Sequence, residues 1–154
     1  MPAIYSGVHN FSKKVNDIFC VFPSDHLINN EEIFINLIKK SMEFAKTKIV
    51  TFGIKPYEVN TAYGYIAPSE KMMNGYIAKE FKEKPDYETA KKYIDMGYLW
   101  NSGIFMFDSG VFKKEVALYN KNIFEAFKHS SNIKEAYLKI KQNISVDYGI
   151  IPLC

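Results

Sequence analysis

The sequence predicts an α/β fold with parallel strands and crossover helices. Three observations carry that prediction. Short apolar runs of strand length recur along the chain, as in Ile18-Phe19-Cys20-Val21-Phe22 and Lys48 to Gly53. Segments with helical apolar spacing lie between them. Cap and turn residues punctuate the junctions. The 154 residues suit one domain, and a hydrophobic share of 47% with 16% aromatics is ample for a packed core.

Taken in order, residues 3–16 read as a helix, with Ile4, Val8, Phe11 and Val15 near a helical period and Lys13 and Lys14 toward its end. Ile18 to Phe22 reads as a strand buried on both faces and ended by Pro23. Asn29, Asn30, Glu31 and Glu32 open a second helix, with an amide cap and acids in its first turn. Ile33, Phe34, Leu37, Ile38, Met42 and Ala45 form its apolar face. Lys48 to Gly53 is the next buried strand. Ala62 to Pro68 and Tyr76 to Phe81 are two more, joined by a hairpin turn at Asn74-Gly75. Asp86 caps a helix over residues 87–96, and Gly97 lies just past its end. Tyr98 to Phe107 is a strand. Residues 109–141 are helical in two or three pieces, broken near Asn120 and Ser130–Ser131. Ile144 to Ile151 is a short extended or turn segment.

Composition narrows the function. A net charge of +3 with lysines spread along the chain makes no case for nucleic-acid binding. No apolar stretch is long enough for a bilayer. The start, Met1 to Asn10, lacks the layout of a secretory signal, so a cytoplasmic protein is the expectation. The two cysteines, Cys20 and Cys154, form no metal-ligand spacing, and Cys20 sits in an apolar run as a buried structural thiol would.

Five stretches carry polar groups where chemistry could occur. Pro23-Ser24-Asp25-His26 follows the first strand, at the end of the sheet where ligands collect. An aspartate there either caps a helix or holds a hard cation. His26 is either a hydrogen-bonded structural residue or a base. Gly64 lies between Tyr63 and Tyr65, as a bulge or as a place where a ligand meets the backbone. Phe81-Lys82-Glu83-Lys84-Pro85 is either a solvated strand end or a carboxylate for hydroxyls beside an ammonium for phosphate. Asn101 and Ser102 interrupt an apolar strand and need partners, from backbone or ligand. Val146-Asp147-Tyr148-Gly149 supplies a further acid.

These motifs, with Thr51-Phe52-Gly53-Ile54-Lys55-Pro56 and Trp100-Asn101-Ser102-Gly103-Ile104-Phe105, occur in one order. Together they resemble the mannose-1-phosphate guanylyltransferases, above all the bacterial type often fused to a phosphomannose isomerase. The resemblance covers about residues 2 to 150. It implies a Rossmann-like nucleotidyltransferase fold, a mixed sheet with flanking helices. It also implies the reaction of GTP with mannose 1-phosphate to give GDP-mannose and pyrophosphate, with Mg²⁺. By resemblance, Asp25 and Asp147 are metal ligands and, with Lys84, catalytic. Glu83 holds mannose hydroxyls, Lys84 the sugar phosphate, and Gly64, Tyr65 and Asn101 complete the substrate contacts.

The sequence departs from the family in three ways. Met1-Pro2-Ala3 begins where the family is already past its first strand and its glycine-rich nucleotide loop. Residues 1–154 are therefore expected to be a partial catalytic domain, the sugar-phosphate side, weak or inactive alone. A complementing N-terminal segment or a second copy is expected to cover the exposed strand edges. Beyond Asp147-Tyr148 the family continues with an acid where this chain has Ile151-Pro152-Leu153-Cys154. Ala62 stands in place of a glycine, and Asn60 in place of an acid. A sugar-phosphate-binding remnant, a regulatory subunit, or a transferase of another sugar or base are the alternatives.

Overall fold

The computed structural model describes residues 1–12, 16–141 and 144–149, with the backbone alone for Asp147 and Tyr148. The chain runs α1 (Pro2–Phe11), β1 (Ile18–Val21), α2 (Glu31–Ala45), β2 (Val50–Ile54), β3 (Gly64–Met72), β4 (Gly75–Glu83), α3 (Tyr87–Asp95), β5 (Leu99–Asp108), α4 (Ser109–Tyr119), α5 (Lys121–Lys128), α6 (Ile133–Lys139) and α7 (Val146–Gly149). The expected alternation of strands and helices is present. The five strands form one sheet in the order β1-β5-β3-β4, with β2 also paired to β5. β3 runs antiparallel to both β4 and β5.

The chain divides into two compact units. One comprises Met1–Val21, Met42–Val50 and Met106–Cys154, the other Phe22–Ser41 and Thr51–Phe105. The first has a core of fully or nearly fully buried Tyr5, Val8, Phe107, Phe112, Val116, Ile123 and Phe127. Phe107 stacks on Phe112 with centroids 4.2 Å apart, and Tyr5 tilts against Phe127 at 5.1 Å. The helices are cut by their caps. Asp108 opens α4, its Oδ1 accepting from the Gly110 and Val111 N–H groups at 2.7 and 3.1 Å. Asn120 separates α4 from α5, and Asn132 caps α6 by accepting from Glu135 N–H at 2.9 Å.

Glu135 in turn accepts from Ser131 N–H at 2.8 Å and from Lys139 Nζ at 2.6 Å. The Lys139 hydrogen bond first, then those from Ser131, hold its carboxyl down at about 2. A depressed carboxyl stabilises the fold above its ordinary value of 4.5, and that contribution disappears as pH falls toward about 2. The Tm difference between the wild type and Glu135→Gln should therefore close across this window. A difference unchanged down to about pH 2 would rule the contact out as a source of stability.

The second unit packs α3 on one face of β3 and β5. Tyr65, Ala67, Ala90, Tyr98 and Trp100 are its buried cluster. Asp86 caps α3 as expected, accepting from Thr89 N–H at 2.8 Å. Gly97, at φ +81°, ends the helix: Tyr98 N–H reaches Tyr93 O and Gly97 N–H reaches Ile94 O, both at 2.9 Å. Tyr98 donates its hydroxyl hydrogen to Glu80 Oε2 at 2.8 Å, and this bond, with burial, pushes the phenol up to about 12.

Several expectations are corrected. α1 ends at Phe11, which is exposed, while Pro2, Tyr5 and Val8 are buried; Lys13, Lys14 and Val15 lie outside the described residues. β1 is half-buried along its length rather than buried on both faces. In α2 the inward residues are Phe34, Ile38, Ser41 and Ala45, whereas Ile33, Leu37 and Met42 are exposed. Phe34 sets this rotation by packing on Phe22 and Phe52. The hairpin turns at Met73 and Asn74, with Met72 opposite Gly75, not at Asn74-Gly75. Within the expected extended or turn segment, Val146 to Gly149 forms a short helix. Cys20 is a half-buried free thiol that burial pushes up to about 11, so it is protonated at neutral pH.

Candidate functional site

The β3–β4 hairpin builds the site. Its register places Gly64 opposite Glu83 and Ile66 opposite Phe81, so these four share one face of the sheet. The face behind them carries Tyr65 opposite both Lys82 and Trp100. Gly64 is there because nothing larger fits. A Cβ on it would lie 2.6 Å from Glu83 Oε2 and 2.8 Å from Phe81 Cζ. The Glu83 carboxylate rests directly over the Gly64 backbone, with its side chain 15% exposed.

Lys84 stands at the mouth of this seat. Its Nζ lies 3.6 Å from Glu83 Oε1 and is open to solvent. Its backbone adopts φ +45°, a left-handed conformation costing roughly 1–2 kcal/mol for a residue with a side chain. The Lys84 N–H is donated to Tyr63 O at 3.2 Å, which holds that turn closed. The expected pair of carboxylate and ammonium is thus adjacent, with the carboxylate sheltered and the cation exposed.

Asn101 projects from β5 and is half-buried. Its Oδ1 accepts from Thr51 Oγ1–H at 2.8 Å and from Gly103 N–H at 3.3 Å. Ser102 is buried and accepts from Ile104 N–H at 3.1 Å. The polar interruption of this apolar strand is therefore satisfied within the fold. The Trp100 indole Nε1, also buried, has no hydrogen-bond partner among the described residues.

Tyr65 is placed as a support. Its side chain is fully buried, and its hydroxyl donates to Asn60 O at 2.8 Å. Asn60 also accepts from Ala62 N–H through Oδ1 at 2.9 Å. An amide at position 60 thus closes the turn leading into Gly64 as a carboxylate would.

Asp25 lies in an exposed turn after β1. It belongs to the same compact unit as Gly64, Tyr65, Glu83, Lys84 and Asn101. Asp147 belongs to the other unit, in α7, and its side chain lies outside the described residues. Among the described residues no group of three or more His, Cys, Asp or Glu side chains converges to hold a metal ion. One accessible carboxylate still fits Mg²⁺, which commonly takes one or two carboxylates and fills its shell with water and substrate phosphates.

Sequence reasoning placed Thr51 in a motif without giving it a role. Its signal was the one that marked Asn101: a polar side chain inside an apolar strand.

The nucleotidyl transferase family model matches residues 1–151. The chain belongs to that family. It is 35% identical to a mannose-1-phosphate guanylyltransferase of Salmonella muenchen, over 87% of this chain and 31% of that protein. It is 34% identical to the one of Klebsiella pneumoniae, over 97% of this chain and 36% of that protein. The chain spans about a third of the length of these curated relatives. The crystal structure of a mannose-1-phosphate geranyltransferase from Thermus thermophilus superposes with a TM-score of 0.92 at 28% identity, over 99% of this chain and 46% of that one. A mannose-6-phosphate isomerase from Helicobacter pylori gives 0.84 at 27% identity, over 99% and 64%. The nucleotidyltransferase fold inferred from the motifs is thereby established. Among the described residues no helix is long and apolar enough to cross a membrane.

Proposed function

We propose that this chain is the sugar-phosphate side of a mannose-1-phosphate guanylyltransferase acting in the cytoplasm. The whole enzyme would join mannose 1-phosphate to GTP, giving GDP-mannose and pyrophosphate. The observation that carries this reading is the sheltered Glu83 carboxylate seated on Gly64, with Lys84 Nζ 3.6 Å away. A fixed carboxylate accepts hydrogen bonds from sugar hydroxyls. A flexible ammonium beside it neutralises the phosphate attached to the same sugar. The names of the relatives support the choice of mannose 1-phosphate and of GTP.

The residues of this chain bind and orient. Glu83 fixes the sugar ring, Asn101 donates to it from β5, and Tyr65 braces the turn beneath Gly64. Lys84 draws the phosphate in, so that its oxygen faces the α-phosphorus of the nucleotide in line. Asp25 would hold Mg²⁺, which when bound neutralises phosphate charge.

Titration calorimetry of the chain with Mg²⁺ tests this. Mannose 1-phosphate should bind without GTP. Glu83→Gln, which keeps the shape and removes the charge, should weaken binding by roughly tenfold or more, as expected for hydrogen bonds to a charged group. Equal affinity in the two proteins would dismiss Glu83 as the sugar's anchor. No binding by the unaltered chain would leave a remnant without a working half-site.

A further inference from the structure

We propose that Tyr63 is a positioning residue that turns the Lys84 ammonium onto the face of the sheet where Glu83 lies, an inference that rests on the phosphate contact assigned above to Lys84. Side chains on a strand alternate between its two faces. Glu83 shares one face with Gly64, Ile66 and Phe81. An extended Lys84 would therefore point to the opposite face, with Lys82 and Tyr65. Yet Lys84 Nζ lies 3.6 Å from Glu83 Oε1. The left-handed backbone of Lys84, at φ +45°, breaks the alternation and lets two consecutive side chains meet.

The local sequence does not favour this turn. Lysine carries a Cβ, which the left-handed region penalises, and Pro85 biases the residue before it toward extended backbone. The turn is imposed from across the hairpin. Tyr63 and Lys84 are the next pair beyond Gly64 and Glu83 in the β3–β4 register, and Lys84 N–H is donated to Tyr63 O at 3.2 Å. Tyr63 is itself held by its ring, which packs on Trp100 with centroids 5.0 Å apart. Trp100 is buried on β5, opposite Tyr65. The Tyr63 ring thus lies on the face that an extended Lys84 would use. Tyr63, Glu83, Lys84 and Trp100 all belong to the second unit.

Three variants of the full chain separate this from general packing on Trp100. Tyr63→Ala removes the ring, and Tyr63→Phe keeps it. Tyr57→Ala removes a second ring that packs on Trp100 at 5.0 Å, from a residue ahead of the hairpin. Without ligand, NMR should show a strong NOE between the Lys84 N–H and its own Hα, the mark of a positive φ. It should be present in the wild type, Tyr63→Phe and Tyr57→Ala, and should weaken to the level of an extended residue in Tyr63→Ala. In calorimetry with mannose 1-phosphate, Tyr63→Ala should lose about tenfold in affinity, with the other two within about threefold of wild type. On a Lys84→Ala background, Tyr63→Ala should cost nothing further.

A Lys84 NOE as strong in Tyr63→Ala as in the wild type would overturn the proposal. So would an equal loss of affinity in Tyr57→Ala, because both rings would then act by packing on Trp100. The same tenfold loss on the Lys84→Ala background would also overturn it, since Tyr63 would act without the ammonium. If the unaltered chain bound no mannose 1-phosphate, the function proposed above would fall. The NOE would still decide whether Tyr63 sets the Lys84 turn.

Discussion

Gly64→Ala should abolish most sugar-phosphate binding while leaving a folded protein. The added methyl would sit 2.6 Å from Glu83 Oε2, 2.8 Å from Phe81 Cζ and 3.2 Å from Phe81 Cε2. These neighbours yield unequally. The Phe81 ring is buried in the sheet face, so moving it costs packing. The carboxylate is the end of a flexible side chain and gives way first. Relief of the clash therefore removes Glu83 from the seat proposed above to orient the sugar. Displacement by an ångström or more forfeits the hydrogen bonds of a sheltered carboxylate, about 1.5–3 kcal/mol, or roughly 10- to 100-fold in affinity. Overpacking against Phe81 adds a stability loss of about 1–3 kcal/mol. Gly75→Ala is the control, since nothing lies within 4 Å of a Cβ there. Calorimetry on both variants, with urea melts alongside, decides the matter. If Gly64→Ala bound mannose 1-phosphate as tightly as Gly75→Ala, the seat would not be where the sugar is held.

The same residues show what could be read in advance. Local signals were legible because their physics is local. Asp86 caps α3 through its own neighbour Thr89, and Gly97 takes the left-handed conformation that ends the helix. Asn30 accepts from Ile33 N–H at 3.1 Å, as an amide before two acids suggests. The rotation of α2 was not legible. Residues 33–38 are apolar at five of six positions, so several faces satisfy a helical period. The choice falls to Phe34 meeting Phe22 and Phe52, far apart in sequence. Ser41 can then sit inside because its hydroxyl donates to Leu37 O at 2.9 Å.

The hairpin turns one residue earlier than Asn74-Gly75. Pro68 has no N–H to donate, and the β3–β4 ladder shifts register on either side of it. The two shifts cancel, so Gly64 opposite Glu83 and Met72 opposite Gly75 share one register, centred on the turn at Met73 and Asn74. Gly64 and Glu83 were each marked by motif, yet the seat they form together exists only in that register. Thr51 and Asn101, 50 positions apart, likewise meet only through strand pairing.

Phe107→Ala should destabilise the fold more than Gly64→Ala or Glu135→Gln. Phe107 is fully buried at the end of β5. Its ring lies nearly parallel to Phe112, at 13° and 4.2 Å between centroids, and Phe19 stacks on it at 6.4 Å. Truncation removes the apolar area of the ring and leaves a cavity, because Phe112 is held by its own helix and cannot collapse into the space. Such changes cost about 3–5 kcal/mol. For a chain of 154 residues that corresponds to a fall in Tm of roughly 6–20 °C. Phe11→Ala, on a side chain 74% exposed, should stay within about 0.5 kcal/mol and serves as the comparison. Phe107→Leu should lie between, since it refills part of the cavity. Urea unfolding followed by circular dichroism reads all three. A Phe107→Ala loss under about 1 kcal/mol would mean that the aromatic stack does not anchor this core. A large loss, with the Phe11 variant unchanged, would place the unit's stability where the buried rings converge, in Phe107, Phe112 and their neighbours.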